Sequence, residues 1–382
     1  MGSPFARTYY DVVIAGARCA GASTAMLMAR RGLRVLVVDP VQYGKDTLST
    51  HALMRGAVLQ LHRWGLLDAV RAAGAPPIGT TTFHYGDESV EVTIKSRDGV
   101  DALYAPRRTV LDPIVVDAAR VAGAEVVYGQ SIVDLVRDDD GRVSGAKIAG
   151  PDRQVTEVSA DLVIGADGAS SKVARLLGLE ADYLVPDAAC IIYSYWRDVP
   201  LSGYHWYYRP GVSAGTIATN DGDTCLAAMI PQARFLERKH EGLEALHLET
   251  MNDISPELAE HVASTRPSDR LRAFAGAPGF LRRAAGPGWA LVGDAAYFRD
   301  PITAHGITDA FREAELLARA FAEEGGGGLP RYRAGRDERV KGLLDVTHSI
   351  AAFEWNLDQV KADHLELNRQ MNAQVDVLRA LD

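Results

Sequence analysis

The sequence predicts an α/β fold, in which a parallel-sheet domain is interleaved with a β-rich unit and followed by a C-terminal helical segment. Three observations carry this. Two uninterrupted apolar runs, "YYDVVIAGA" and "LRVLVVD", flank an alanine- and methionine-rich stretch that ends in Arg30, Arg31 and Gly32. That is the pattern of two buried parallel strands around one helix. Strand-to-helix turns containing glycine recur in "GADGASSKVARLLG" and "LVGDAAYFRDPITAHGITDAF". From about Ala181 to Pro267 the texture changes to clustered aromatics, "IIYSYWRDV" and "YHWYYRPG", followed by helices around Arg234–Thr265.

The elements follow in order. "THALMRGAVLQLHRWGLLDAVRAAG" reads as helix, with Leu59, His62, Leu66 and Val70 near one face. "GTTTFHYGDESVEVTIK" alternates around a Gly-Asp turn and reads as a hairpin. "PRRTVLDPIVVDAARVAGAEVVYG" is helix then strand, and Ser131 to Ile164 is a meander broken by "DDDG" and "GPD". "EEGGGG" marks a flexible link, and Arg331 to Asp382 reads as helical throughout. The C-terminal pattern suits either packing on the first domain or a homo-oligomer contact.

Length and composition bound the function. At ~150 residues per domain, 382 residues suggest two domains with a terminal appendage. A hydrophobic content of 47% and a charged content of 24% are ordinary for a globular protein. The net charge of -9 argues against nucleic acid or a membrane surface as partner, both being anionic. Cys19, Cys190 and Cys225 are odd in number and far apart, which suggests reduced thiols in a cytoplasmic protein and no metal site. No run of ~18 apolar residues predicts a transmembrane helix.

The first turn carries recognisable chemistry. Gly16 permits a tight exit from the strand, and Gly21 permits close helix–strand packing. The helix N-terminus then offers free N–H groups to a pyrophosphate. Asp39 ends the second strand, where a carboxylate can accept hydrogen bonds from a ribose. Arg18 stands where the usual G-x-G-x-x-G pattern has its second glycine, so its side chain must turn aside or lend charge to the ligand.

"GARCAG", "GADGASSKVAR" and "LVGDAAY…DPITAHG", in that order, resemble the three motifs of the FAD-dependent aromatic hydroxylases of the para-hydroxybenzoate hydroxylase type. These are the class A flavoprotein monooxygenases, and the resemblance covers most of residues 9–325. It implies an FAD/NAD(P)-binding Rossmann-like domain over 9–78, 101–180 and 268–330. A β-sheet substrate domain would take 79–100 and 181–267, with a helical segment over 331–382. It also implies an enzyme that uses NAD(P)H, dioxygen and a small-molecule substrate. Hydroxylation of an electron-rich, aromatic or natural-product compound would proceed through a flavin 4a-hydroperoxide. Geranylgeranyl-reductase-like enzymes and flavin halogenases share the same motifs, so reduction of C=C bonds or halogenation stays open, as does a non-catalytic flavin-binding role. The W-x-W-x-I-P signature of many halogenases is absent.

Carried over residue by residue, the resemblance places Gly16, Arg18, Ala20 and Gly21 at the pyrophosphate and Asp39 at the adenosine ribose. Arg55 would touch FAD and the incoming nicotinamide. Arg108, in an R-x-x-[FL]-D pattern, would contact the flavin nucleotide. The backbone of Ile132 would meet adenine. Asp167 belongs to the mid-chain DG motif, and Asp294 would bind the ribityl chain. Pro301, Gly306 and Ile307 would run under the isoalloxazine, with the helix from Gly306 stabilising reduced flavin through its dipole. His305 beside it is the only candidate for direct proton transfer. "DPITAHG" departs from the more usual PP-x-G-x-G loop. With no second G-x-G-x-x-G, the nicotinamide would visit and leave.

Overall fold

The computed structural model describes residues 4–381. Its first sheet has eight strands. Tyr9–Ala15 lies between Val35–Asp39 and Val155–Gly165, with Glu125–Tyr128 beyond the former and Trp289–Leu291 beyond the latter, all parallel. The hairpin Ser131–Arg137 and Val143–Ala149 pairs antiparallel to the first half of Val155–Gly165. Both faces of the central strands are covered, so Val12, Val13, Ile14 and Val35 to Val38 are all buried.

This topology brings the three turns to one place. Parallel strands end on the same edge, where Asp39 closes one strand of this sheet and Gly16, Asp167 and Asp294 follow others. The turns are held in register by backbone bonds: Gly16 N–H to the Val38 carbonyl (2.8 Å), Ala166 N–H to Ala15 (2.8 Å) and Val292 N–H to Gly165 (2.9 Å).

The second sheet has seven strands, with Val212–Ala218 at its centre and Asp223–Pro231 then Ala189–Arg197 to one side of it. The hairpin Thr80–Tyr85 and Glu88–Thr93 adds to it beside Tyr204–Arg209. Arg272–Phe274 forms its other edge. The segment 268–330 therefore divides between the two sheets. Alternation along Ala189–Arg197 sends Ile191, Tyr193 and Tyr195 into one core and Cys190, Ile192 and Trp196 into another. The second core is capped by the helices Leu243–Ile254 and Pro256–Ser264.

Some expectations shift. The helix expected from Thr50 onward is two helices, Arg55–Arg63 and Leu67–Ala72, because Gly65 adopts a φ of +74° between them. The glycine run is a tight turn, Gly325–Gly328, and not a spacer: a Cβ on Gly328 would stand 1.9 Å from the Ala320 carbonyl oxygen. The C-terminal segment is two helices, Leu329–Ala351 and Leu357–Arg379, the second opened by an Asn356–Gln359 capping box. It packs on the rest of the chain, where His364 meets the Tyr85 hydroxyl at 2.9 Å. Among the described residues no helix is long and apolar enough to cross a membrane.

Candidate active site

At the carboxyl edge of the first sheet a cleft of about 680 Å3 runs toward the second sheet. Its lining includes Gly16, Arg18, Ala20, Asp39, Arg108, Asp167, Asp294, Pro301, His305, Gly306 and Ile307. Residues more than two hundred positions apart thus share one wall, and the three glycine-and-aspartate turns face one another.

The first turn is built for close approach. Gly16 has a φ of +100°, and a Cβ there would lie 2.4 Å from the Ala166 carbonyl oxygen. A Cβ on Gly21 would lie 1.8 Å from the Gly16 carbonyl oxygen, so Gly21 sits behind the cleft wall and sets the distance between helix and strand. The helix Cys19–Ala29 begins with no side-chain cap, which leaves its first N–H groups open toward the cleft. Asp39 accepts from the N–H groups of Ala17 (2.8 Å) and Val41 (2.7 Å), which fixes its carboxylate at the strand end.

Arg18 turns aside. Its guanidinium bonds Asp112 at 3.0 Å, and Arg108 grips the same carboxylate at 2.8 and 3.1 Å. Two cations on one anion leave a net positive charge beside the open helix N-terminus, as a pyrophosphate requires. Burial and the Asp112 carboxylate push the Cys19 thiol up, with the arginines opposing, so it stays protonated. Asp112 is the fifth residue of the R-x-x-[FL]-D pattern, and its role there went unread in the sequence.

Asp167 is held by its own turn, accepting from the Ser171 hydroxyl (2.5 Å) and the Lys172 N–H (2.7 Å). Burial pushes the Asp294 carboxyl up to about 6, with Asp309 adding to this and Arg108 and Arg299 opposing it. Its side chain nonetheless opens onto the cleft. Water reaching it there weakens the shift, and a ligand displacing that water strengthens it.

The helix Gly306–Glu324 starts in the cleft wall with no side-chain cap. His305 precedes it, 3% exposed, and both ring nitrogens lack a hydrogen-bond partner. Burial, then Arg299, drives its pKa down to about 3, so the imidazole is neutral. Behind it Asp309 bridges Arg299 (2.9 Å) and Arg312 (2.6 Å), all three buried. An orphaned buried imidazole at an uncapped helix start calls for a ligand with both donors and acceptors. A flavin pyrimidine edge meets that need, and the open first turn suits negative charge there.

Three expected residues are not brought to the cleft lining: Gly21, which lies behind the wall, Arg55 and Ile132. Arg55 starts its helix but turns to the carbonyls of Lys95 (2.6 Å) and Val100 (3.4 Å), where the chain after the Thr80–Thr93 hairpin offers acceptors. Ile132 is buried in the core, cross-strand from Ile148, and takes no part in the cleft lining. The aromatics of "YHWYYRPG" lie away from the cleft: Tyr204, Trp206 and Tyr208 fill the core beneath the sheet. Instead the second-sheet side of the cleft is formed by Ile191, Tyr193 and Phe274, with Phe298 and the strap Thr47–Ala52. Among the described residues no cluster suited to a metal ion occurs.

Residues 9–347 match the family described as "FAD binding domain". The chain belongs to this family of FAD-dependent oxidoreductases. The flavoenzyme is 28% identical over 356 residues to menaquinone reductase of Mycolicibacterium smegmatis, covering 85% of this chain and 78% of that one. It is 27% identical over 339 residues to digeranylgeranylglycerophospholipid reductase of Methanosarcina mazei, covering 82% and 75%. The structure of the flavin-dependent brominase Bmp2 superposes with a TM-score of 0.80 at 19% identity, covering 96% and 94%, a likeness of fold.

Proposed function

We propose that this flavoenzyme is a monooxygenase that uses NAD(P)H and dioxygen to hydroxylate a small, electron-rich aromatic compound. The observation that carries this reading is the filled inner face of the second sheet. Beyond Tyr193 it is packed by Tyr204, Trp206, Tyr208 and Met229, each buried. Trp206 lies so close over Gly215 that a Cβ there would meet its ring at 2.8 Å. FAD claims most of the 680 Å3 cleft, and a compact ring fits the remainder better than a long isoprenoid chain.

When bound, FAD supplies the exchange of electrons between a nicotinamide and dioxygen. The chain's own residues do the rest. The open N-termini of Cys19–Ala29 and Gly306–Glu324, with Arg18 and Arg108, bind and orient the phosphates and the pyrimidine edge. Ile191, Phe274 and Phe298 exclude water from the space where substrate meets the flavin. His305, neutral and lacking internal partners, offers an N–H donor on one ring nitrogen and a lone-pair acceptor on the other.

A second reading is C=C reduction, favoured by the reductases among the sequence relatives. Turnover of the holoenzyme with NAD(P)H and a panel of phenols under isotopically labelled dioxygen separates the two. The monooxygenase reading expects one labelled oxygen atom in the product. Product without label, or turnover of isoprenoid alkenes alone, would favour the reductase.

A further inference from the structure

The part of the cleft facing the second sheet has cations around it, and each is already engaged. Arg272 pairs with Asp46, and with Asp269 at 2.7 Å. Arg107 pairs with Asp223 (3.3 Å) and Asp269 (3.5 Å) and lies 3.7 Å over the Tyr195 ring. Arg299 pairs with Asp309 and donates to Thr347 at 3.2 Å. His51 is committed too. Its Nδ1 donates to the Ala105 carbonyl (3.0 Å), so its Nε2 accepts from the Tyr195 hydroxyl (3.1 Å). No free cation is left on this wall among the described residues to receive a carboxylate.

Tyr193 is different. It is 2% exposed, lines the cleft, and its phenol oxygen accepts the Ser49 N–H at 3.0 Å. The Arg272 guanidinium stands against the same oxygen. With donors on the oxygen, the capacity that remains is the O–H itself. No acceptor for it occurs among the described residues. The surfaces around it are apolar: Ile191, Phe274 and Phe298, the two phenylalanines meeting edge to face at 6.2 Å.

We infer that Tyr193 donates its hydrogen to an oxygen of the substrate, and that the site takes an uncharged, oxygen-bearing aromatic ring (a phenol or ring ketone) in preference to an aromatic carboxylate. This rests on the proposed monooxygenase reading for its setting, but on the cleft wall alone for its content. The apolar surfaces grip the ring, and Tyr193 chooses which edge of it faces away from solvent. A carboxylate would have to give up its water for cations that Asp46, Asp269, Asp223 and Asp309 already neutralise.

The test uses the FAD-loaded enzyme and reads the change in the flavin's visible absorption on titration. The probes are 2-naphthol, 2-naphthoate and naphthalene. The inference expects 2-naphthol to bind at least about ten-fold more tightly than 2-naphthoate. In Tyr193→Phe, 2-naphthol should weaken roughly five-fold, the size of one neutral hydrogen bond, while naphthalene is unchanged. Naphthalene is the control for a structural role, because it cannot accept a hydrogen bond. Equal or tighter binding of 2-naphthoate overturns the inference. So does equal weakening of naphthalene, no weakening of 2-naphthol, or no response to 2-naphthol. Oxygen incorporation is a separate readout. An enzyme that binds 2-naphthol through Tyr193 but yields unlabelled product keeps this inference and loses the monooxygenase reading.

Discussion

Gly21→Ala is expected to give a folded protein that carries about a tenth or less of the wild-type FAD. The added methyl would sit 1.8 Å from the Gly16 carbonyl oxygen and 3.2 Å from the Ala166 side chain. Neither the strand end nor the helix can absorb that without moving apart. The movement takes the first-turn N–H groups of Cys19–Ala29 away from the pyrophosphate position, while Arg18 and Arg108 remain tied to Asp112. Close approach is what makes a helix N-terminus an anion site, so an outward shift of the order of 1 Å removes most of the benefit. The ratio of flavin to protein absorbance in the purified variant checks this. Far-UV circular dichroism separates loss of cofactor from loss of fold.

Asp309→Ala is expected to be the most destabilising single change in the site, at about 3–5 kcal/mol. Asp309 neutralises Arg299 and Arg312 at once, and the three are 4%, 5% and 1% exposed respectively. Truncating the shared carboxylate leaves two buried guanidinium groups facing each other. Glu313 cannot replace it, because one of its oxygens is held by the Gly293 N–H at 2.8 Å and the other is 3.6 Å from Arg312. Denaturant melts of the FAD-loaded proteins measure the loss. The triple change Arg299→Met, Asp309→Leu, Arg312→Met should recover part of it, since the three charges go together while Glu313 keeps the Gly293 N–H. If Asp309→Ala alone costs under about 1 kcal/mol, the cluster is wetter than its burial indicates.

How much of this could be read in the sequence depends on how local each signal is. The three turns were legible because each is written in a few contiguous residues, and a parallel sheet must bring its strand ends to one edge. Gly16 and Gly21 could be assigned steric roles before any coordinates, since each spacing serves one backbone geometry. Arg18 was legible only as a departure. Where its side chain goes depends on Asp112, 94 positions away, and on the Arg108–Val121 helix that presents it. Arg55 misled because helix position fixes a Cα, not where a long guanidinium finds carbonyls. The backbone of Ile132 was expected at adenine; the strand turns its side chain into the core, and the residue is not among those lining the cleft.

The substrate side was the least legible. Aromatics cluster in two strands, Ala189–Arg197 and Tyr204–Arg209, that are separated by two others in the sheet; both Tyr193 and Trp206 face the same core, and only the sheet order decides that Tyr193 reaches the cleft while Trp206 does not. The strap also gave no local sign. Its path depends on His51 accepting a left-handed φ of +48° and on Asp46 meeting Arg272, a contact spanning 226 residues.

The central claim is that the turns at Gly16, Asp167 and Asp294 close on one molecule of FAD. The visible absorption of the purified protein, quantified against protein concentration, tests it most directly. The account predicts a protein-bound flavin spectrum near one FAD per chain, retained through gel filtration and lost in Gly21→Ala. A colourless protein that takes up no added FAD would contradict it.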